Sequence, residues 1–153
     1  MGLGIAYVAA VTAKSRVSLC DASPSQLTKG LSLFDSLLTK DVKKSKLTQQ
    51  EADEARSRLQ VVEGIDKMAD SGRDDIQMVI EAATENLTIK QKIFGHLAKV
   101  MSDTCILATN TSSISVSKIA ASALTQGEEP AKSSSPTRCL GLHFMNPVPG
   151  ESS

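Results

Sequence analysis

The sequence has 153 residues, 41% of them hydrophobic and 22% charged, with 17 basic against 17 acidic side chains. A chain of that length makes one domain and buries about 68–70% of its unfolded surface. The charge balance excludes a disordered acidic tail and a basic nucleic-acid binder.

The apolar run at residues 3–13 is shorter than the roughly 20 residues of a membrane helix. No Lys or Arg precedes it, as a secretory signal requires, and Ala6 stands where myristoylation takes Ser or Thr. A soluble protein with neither nucleic-acid nor membrane partners is expected. Cys20, Cys105 and Cys139 lack CxxC spacing and lie inside apolar runs, which predicts buried free thiols in a reducing compartment and no metal centre.

Residues 2–13 are rich in Ala and other small residues and predict a helix that lies close against a sheet. A strand follows at residues 16–21 (RVSLCD), and Pro24 after Ser23 suits the first turn of the next helix. That helix carries Leu27, Leu31, Phe34, Leu37 and Leu38 at intervals of three and four and runs to about Lys44. Thr48 with Glu51 forms a capping box that opens a polar helix through Arg58, and residues 59–62 predict a short strand.

Residues 77–83 (QMVIEAA) predict a compact strand, and Ile89, Ile93, Phe94, Leu97 and Val100 mark a helix over residues 87–101. A buried strand at 105–108, a helix at 115–123 and a last strand at 139–144 complete the pattern. Residues 125–137 are rich in Ser, Glu, Gly and Pro and read as a solvated insertion. Strands that alternate with helices imply a parallel sheet covered on both faces, an α/β doubly wound fold. Such a fold opens with a strand, whereas this chain opens with a helix, so a Rossmann-like sheet lacking its first strand is expected.

The opening MGLGIA resembles the second half of a dinucleotide fingerprint, with Gly2 as the glycine that permits close helix-to-strand packing. Asp21 follows 19 residues after Gly2, the place for a carboxylate that binds the ribose hydroxyls of NAD; an Asp there also suits the loop that starts a helix. More specific are DKMADSGRDDIQMVIEAATENLTIKQKIF, ILATNTSSIS, KLTQQEAD and GLHFMNPVP. Together these runs resemble the NAD-binding domain of the 3-hydroxyacyl-CoA dehydrogenase family, its 3-hydroxybutyryl-CoA branch above all. They occur in the family's order over nearly the whole chain. Another two-domain dehydrogenase acting on sugar acids or hydroxy acids would share the fingerprint but not GLHFMNPVP together with ATNTSSIS.

The resemblance implies a set of roles. His143, in GLHF, is the general base that removes the proton of the substrate's 3-hydroxyl; imidazole suits the task because it changes protonation near neutral pH. Ser112, first serine of NTSS, binds the substrate oxygen of the acyl-CoA and lies near the nicotinamide, with Asn110 and Asn146 holding the reacting groups. Ser and Asn also favour turns and helix caps. Glu85 and Lys90, in ENLTIK, contact the ribose and nicotinamide side of the cofactor, although an acid there also suits an exposed helix start. Lys44 meets the CoA phosphates, or simply belongs to a solvated face with Lys40, Lys43 and Lys46. Leu37 stands where mitochondrial members carry a CoA-contacting serine.

The family pattern continues beyond NPVP to a Glu that pairs with the catalytic His, and then to a helical domain for substrate and homodimerisation. On that comparison residues 1–149 are a partial NAD-binding domain, residues 150–153 a tail, and the second domain is absent. In the strand order 3-2-1-4-5-6 the first strand is central, so a sheet without it is expected to be weakened. The alternative to an NAD-dependent enzyme is therefore an inactive fragment that at most binds an intact dehydrogenase subunit. A mitochondrial or cytoplasmic home is a family expectation.

Overall fold

The computed structural model describes residues 1–72, 74–123 and 138–144. The expected insertion at 125–137, Asn146 and the tail at 150–153 lie outside the described residues. The chain divides into two compact units, with described residues 1–68 in the first and 69–123 and 138–144 in the second.

The first unit contains α1 (Gly2–Val11), β1 (Val17–Asp21), α2 (Pro24–Lys43), α3 (Gln49–Arg58) and β2 (Leu59–Glu63). β1 and β2 pair in parallel from Val17 opposite Leu59 to Asp21 opposite Glu63, and α2 and α3 form the crossover that a parallel pair requires. Ala6, Tyr7, Ala10, Phe34, Leu38, Ala52, Ala55 and Leu59 make the core. Small residues on α1 and α3 bring these helices close, and Tyr7 and Phe34 meet edge to face with centroids 5.5 Å apart. The Tyr7 hydroxyl donates to Asp41 Oδ2 at 2.7 Å. Burial first, and the Asp41 carboxylate second, push its phenol above the ordinary range.

The capping box forms as expected: Glu51 N–H donates to Thr48 Oγ1 at 3.2 Å, and Thr48 N–H to Glu51 Oε2 at 2.8 Å. On α2, Leu27, Phe34 and Leu38 are buried and Leu31 and Leu37 half-buried, which follows the predicted stripe. Gly30 lets α2 approach β1, since a Cβ there would stand 3.2 Å from Leu19 Cδ2. A short helix that the sequence patterning did not reveal, α4 (Gly64–Asp70), leads onward from β2.

The second unit contains β3 (Met78–Glu81), α5 (Leu87–Val100), β4 (Ile106–Thr109), α6 (Val116–Ala120) and β5 (Cys139–Gly141), with a 3₁₀ turn at Ala121–Ala123. All three strands are parallel in the order β3-β4-β5. Asn86 caps α5 through its Oδ1, which accepts from Ile89 N–H at 3.0 Å. At the other end the buried Arg138 donates to the carbonyl of Ser102, just past the helix, and to that of Ala98 at 3.1 Å, an acceptor in the last turn that a helix terminus leaves open. Gly141 admits α6 to the sheet, because a Cβ there would come within 2.9 Å of Val116 Cγ2.

The parallel α/β class is as expected, and its sheet comes in two parts. Among the described residues β1-β2 form one ladder and β3-β4-β5 another. Coverage of both faces is less complete than predicted: Val61, Met78 and Leu140 are 40%, 41% and 36% exposed. The cause is width. Among the described strands β4 alone has a strand on each side, and there Leu107, Ala108 and Thr109 are fully buried.

The last helix is shorter than expected and tightens into the 3₁₀ turn; the last strand ends its pairing at Gly141 rather than residue 144. Cys105 is buried as expected, whereas Cys20 and Cys139 are only half-buried; all three are free. Burial pushes each thiol above its ordinary range, with the Arg138 charge opposing this at Cys105 and Cys139. No helix among the described residues is long and apolar enough to cross a membrane.

Candidate functional site

Parallel strands present their carboxyl ends on one side of the sheet, where α/β proteins place ligands. At the ends of β3, β4 and β5 the second unit carries Glu85, the turn from Asn110 to Ser112, and His143. Asn110 continues the ladder by donating its N–H to the Glu81 carbonyl at 2.7 Å. Its side-chain Oδ1 accepts from Phe144 N–H at 2.8 Å, and Leu142 N–H donates to the Thr109 carbonyl at 3.0 Å. The backbone on both sides of His143 is thereby pinned to the end of β4, while His143 itself is exposed.

The Thr111 hydroxyl donates to the Glu85 carboxylate at 2.8 and 2.9 Å and accepts from Ile114 N–H at 3.1 Å. Ser112 N–H donates to Glu85 Oε1 at 3.3 Å. Lys90 Nζ stands 3.8 Å from Glu85 Oε2. The Thr111 bond above all, opposed by burial and aided by Ser112 N–H and the charges of Lys90 and His143, holds the Glu85 carboxyl below the ordinary carboxylate range. Ser112 is exposed, and no described residue bonds its hydroxyl.

Lys90 departs from the expectation that it faces a cofactor. Its side chain is 0% exposed, and Nζ donates to Glu81 Oε1 and Oε2 at 2.9 Å each and to the Ala83 carbonyl at 3.3 Å. Position 90 lies on the first turn of α5 and on its buried side, with Phe94 and Leu97, and the ammonium turns inward to the carboxylate that ends β3. Glu81 and Thr109, buried beneath the site, were missed by sequence reasoning. The available signal was a carboxylate closing the otherwise apolar run MVIE.

In the first unit Gly2 opens α1, where Met1 is the N-cap and makes no side-chain cap. Asp21 ends β1; its Oδ1 accepts from Ser23 N–H at 2.8 Å. Asp21 thus closes the strand and shapes the turn into α2, as expected of an Asp that starts a helix. Lys44 is the exposed C-cap of α2, with its N–H on the Lys40 carbonyl at 3.1 Å. Asn146 lies outside the described residues. Among the described residues no group of three or more His, Cys, Asp and Glu could hold a metal ion.

Residues 1–150 match the family described as "3-hydroxyacyl-CoA dehydrogenase, NAD binding domain". The chain belongs to this family. It is 38% identical to a 3-hydroxybutyryl-CoA dehydrogenase of Bradyrhizobium diazoefficiens over 149 residues, which is 97% of this chain and 45% of that protein. Among solved structures, 3-hydroxybutyryl-CoA dehydrogenase from Escherichia coli K12 aligns with a TM-score of 0.82 at 38% identity, over 97% of this chain and 28% of that one. The (S)-3-hydroxybutyryl-CoA dehydrogenase of Ralstonia eutropha aligns at 0.81 and 36%, over 97% and 47%. The chain thus spans less than half the length of these relatives, and what it shares with the dehydrogenase family is the NAD-binding part.

Proposed function

We propose that the chain binds NAD and contributes the catalytic base to oxidation of short-chain (3S)-hydroxyacyl-CoA, 3-hydroxybutyryl-CoA in particular, to the 3-oxoacyl-CoA. The observation that carries this reading is His143, exposed on a segment whose flanking N–H groups are tied to β4, beside the Glu85–Thr111–Ser112 cluster. His143 accepts the proton of the 3-hydroxyl at an imidazole nitrogen as the C–H bond at C3 breaks. Ser112 Oγ orients the substrate oxygen without competing for the proton. Asn110 holds the His143 segment. NAD, when bound, supplies the hydride acceptor.

The residues present fit such a cofactor. Asp21 and Glu85 are exposed carboxylates at strand ends, the chemistry that binds ribose hydroxyls, and Gly2 begins a helix whose first-turn N–H groups suit a pyrophosphate. Asn146 belongs to the same cofactor set in this reading, Lys44 to the CoA phosphates, and Lys90 acts on the cofactor side through Glu85. Homodimer formation is proposed for the full-length relatives' second domain rather than for these residues.

The experiment is a titration of NADH fluorescence with the purified chain and with its Asp21→Ala variant. Saturable enhancement by the chain, weakened in the variant, is the expected result. A flat titration by folded protein contradicts cofactor binding and favours the alternative of a non-catalytic chain that at most binds an intact dehydrogenase subunit.

A further inference from the structure

One carboxylate beneath the site bonds the ends of β3 and β4 and the first turn of α5. Glu81 ends β3, and its Oε1 accepts from Ala83 N–H at 2.6 Å and from Lys90 Nζ at 2.9 Å. Its Oε2 accepts from Lys90 Nζ at 2.9 Å and from Thr109 Oγ1 at 2.6 Å. The backbone carbonyl of the same residue accepts from Asn110 N–H. The carboxylate's lone pairs and the three ammonium protons, the last on the Ala83 carbonyl, are therefore all satisfied.

We infer that Glu81 is a positioning residue of this site: with Lys90 and Thr109 it fixes the ends of β3 and β4 and the first turn of α5 so that Glu85, Ser112 and the His143 segment stand in register. The inference rests on the proposed function only for what the positioned groups do. From Glu81 one step leads through Lys90 to Glu85, at 3.8 Å. The other leads through Thr109, whose carbonyl holds Leu142 N–H, and Asn110, whose Oδ1 holds Phe144 N–H. A shift of Glu81 is transmitted to both sides of the site.

Stability alone does not account for charge at this place. Apolar side chains of similar volume often replace a buried ion pair without loss, and the neighbouring Leu107 and Ala108 are apolar and fully buried. A fully satisfied polar network fixes direction as apolar packing does not. Spanning three segments, it sets the relative positions of groups that dispersion contacts would leave free to slide.

The test uses the whole chain and two variants. Glu81→Gln/Lys90→Met removes both charges together, so that neither is left buried alone; Thr109→Val removes one hydrogen bond at constant volume. Amide NMR positions of Ser112 and Phe144, NADH affinity and the melting midpoint are measured for each. The double variant is expected to melt cooperatively near the parent's midpoint, with Ser112 and Phe144 amides displaced while those of Ala6 and Ala52 stay, and with NADH bound about tenfold more weakly. Unmoved Ser112 and Phe144 amides with unchanged affinity overturn the inference. If the double variant fails to fold, Thr109→Val decides by the same amides: displacement supports positioning, and coincidence with the parent overturns it. If the parent binds no NADH, the functional reading fails, while the amide comparison still decides the positioning role.

Discussion

His143 is exposed, yet the peptide groups on either side of it are held, by Thr109 and Asn110. In the proposed role, a base held in this way reaches its substrate without first ordering its own backbone, which is the entropic part of catalysis. His143→Gln is accordingly expected to lower NADH formation from 3-hydroxybutyryl-CoA by about 10²–10⁴-fold and to leave NADH affinity unchanged; a loss of affinity of the same size would place the residue in cofactor binding instead. The Glu85 carboxyl, held below its ordinary range chiefly by Thr111, contributes stability that is present above the unfolded carboxylate range and is lost as pH falls through its lower, folded value. The Thr111 and Ser112 amide signals should therefore stay constant down to mildly acidic pH and move only below it, and Thr111→Val should raise that midpoint. Of these residues, His143, Ser112 and Glu85 stand in distinctive runs, and the strand ends that carry them were legible in the sequence. Lys90 was legible as a site residue but not in direction, because spacing along a helix does not say which way an ammonium turns when a buried carboxylate lies beneath it. Glu81 and Thr109 were hidden by their place in apolar strands.

At the level of elements, local chemistry carried most of the information. The Thr48–Glu51 capping box and the leucine stripe of α2 appear where the sequence put them, since both depend on residues three and four apart. Thr48→Ala should cost about 1 kcal/mol in thermal or chemical denaturation, and an unchanged midpoint would mean that the box adds nothing to α3. The Glu51 carboxyl, held low first by Thr48 N–H and then by the Thr48 hydroxyl, weakens α3 only as pH falls below the ordinary carboxylate range. Less legible was whatever depends on partners distant in sequence. The pairing of β5 stops at Gly141, and the close approach of Val116 to that glycine is a tertiary fact. Gly141→Ala forces a Cβ against a β-branched side chain and should cost about 1–3 kcal/mol; a neutral effect in denaturation would mean that α6 and β5 part easily. α4 is seven residues long, too short for a periodic signal.

On the scale of the molecule, the parallel α/β class followed from alternation of strands and helices, and the family from four motif runs in order. Among the described residues the strands form two parallel ladders, β1-β2 and β3-β4-β5. Each unit has its own parallel ladder and its own buried side chains, and the residues proposed for NAD are Gly2 and Asp21 in the first and Glu85 and Ser112 in the second. The central claim is that the chain binds NAD. A thermal melt of the purified chain with and without millimolar NAD tests it most directly, because a ligand that binds only the folded state raises the midpoint, by about 2.7 kcal/mol of added stability at a hundredfold excess over Kd. The account predicts one cooperative transition raised by NAD and much less by NADP, whose extra phosphate the Asp21 carboxylate repels. A transition indifferent to NAD would contradict it.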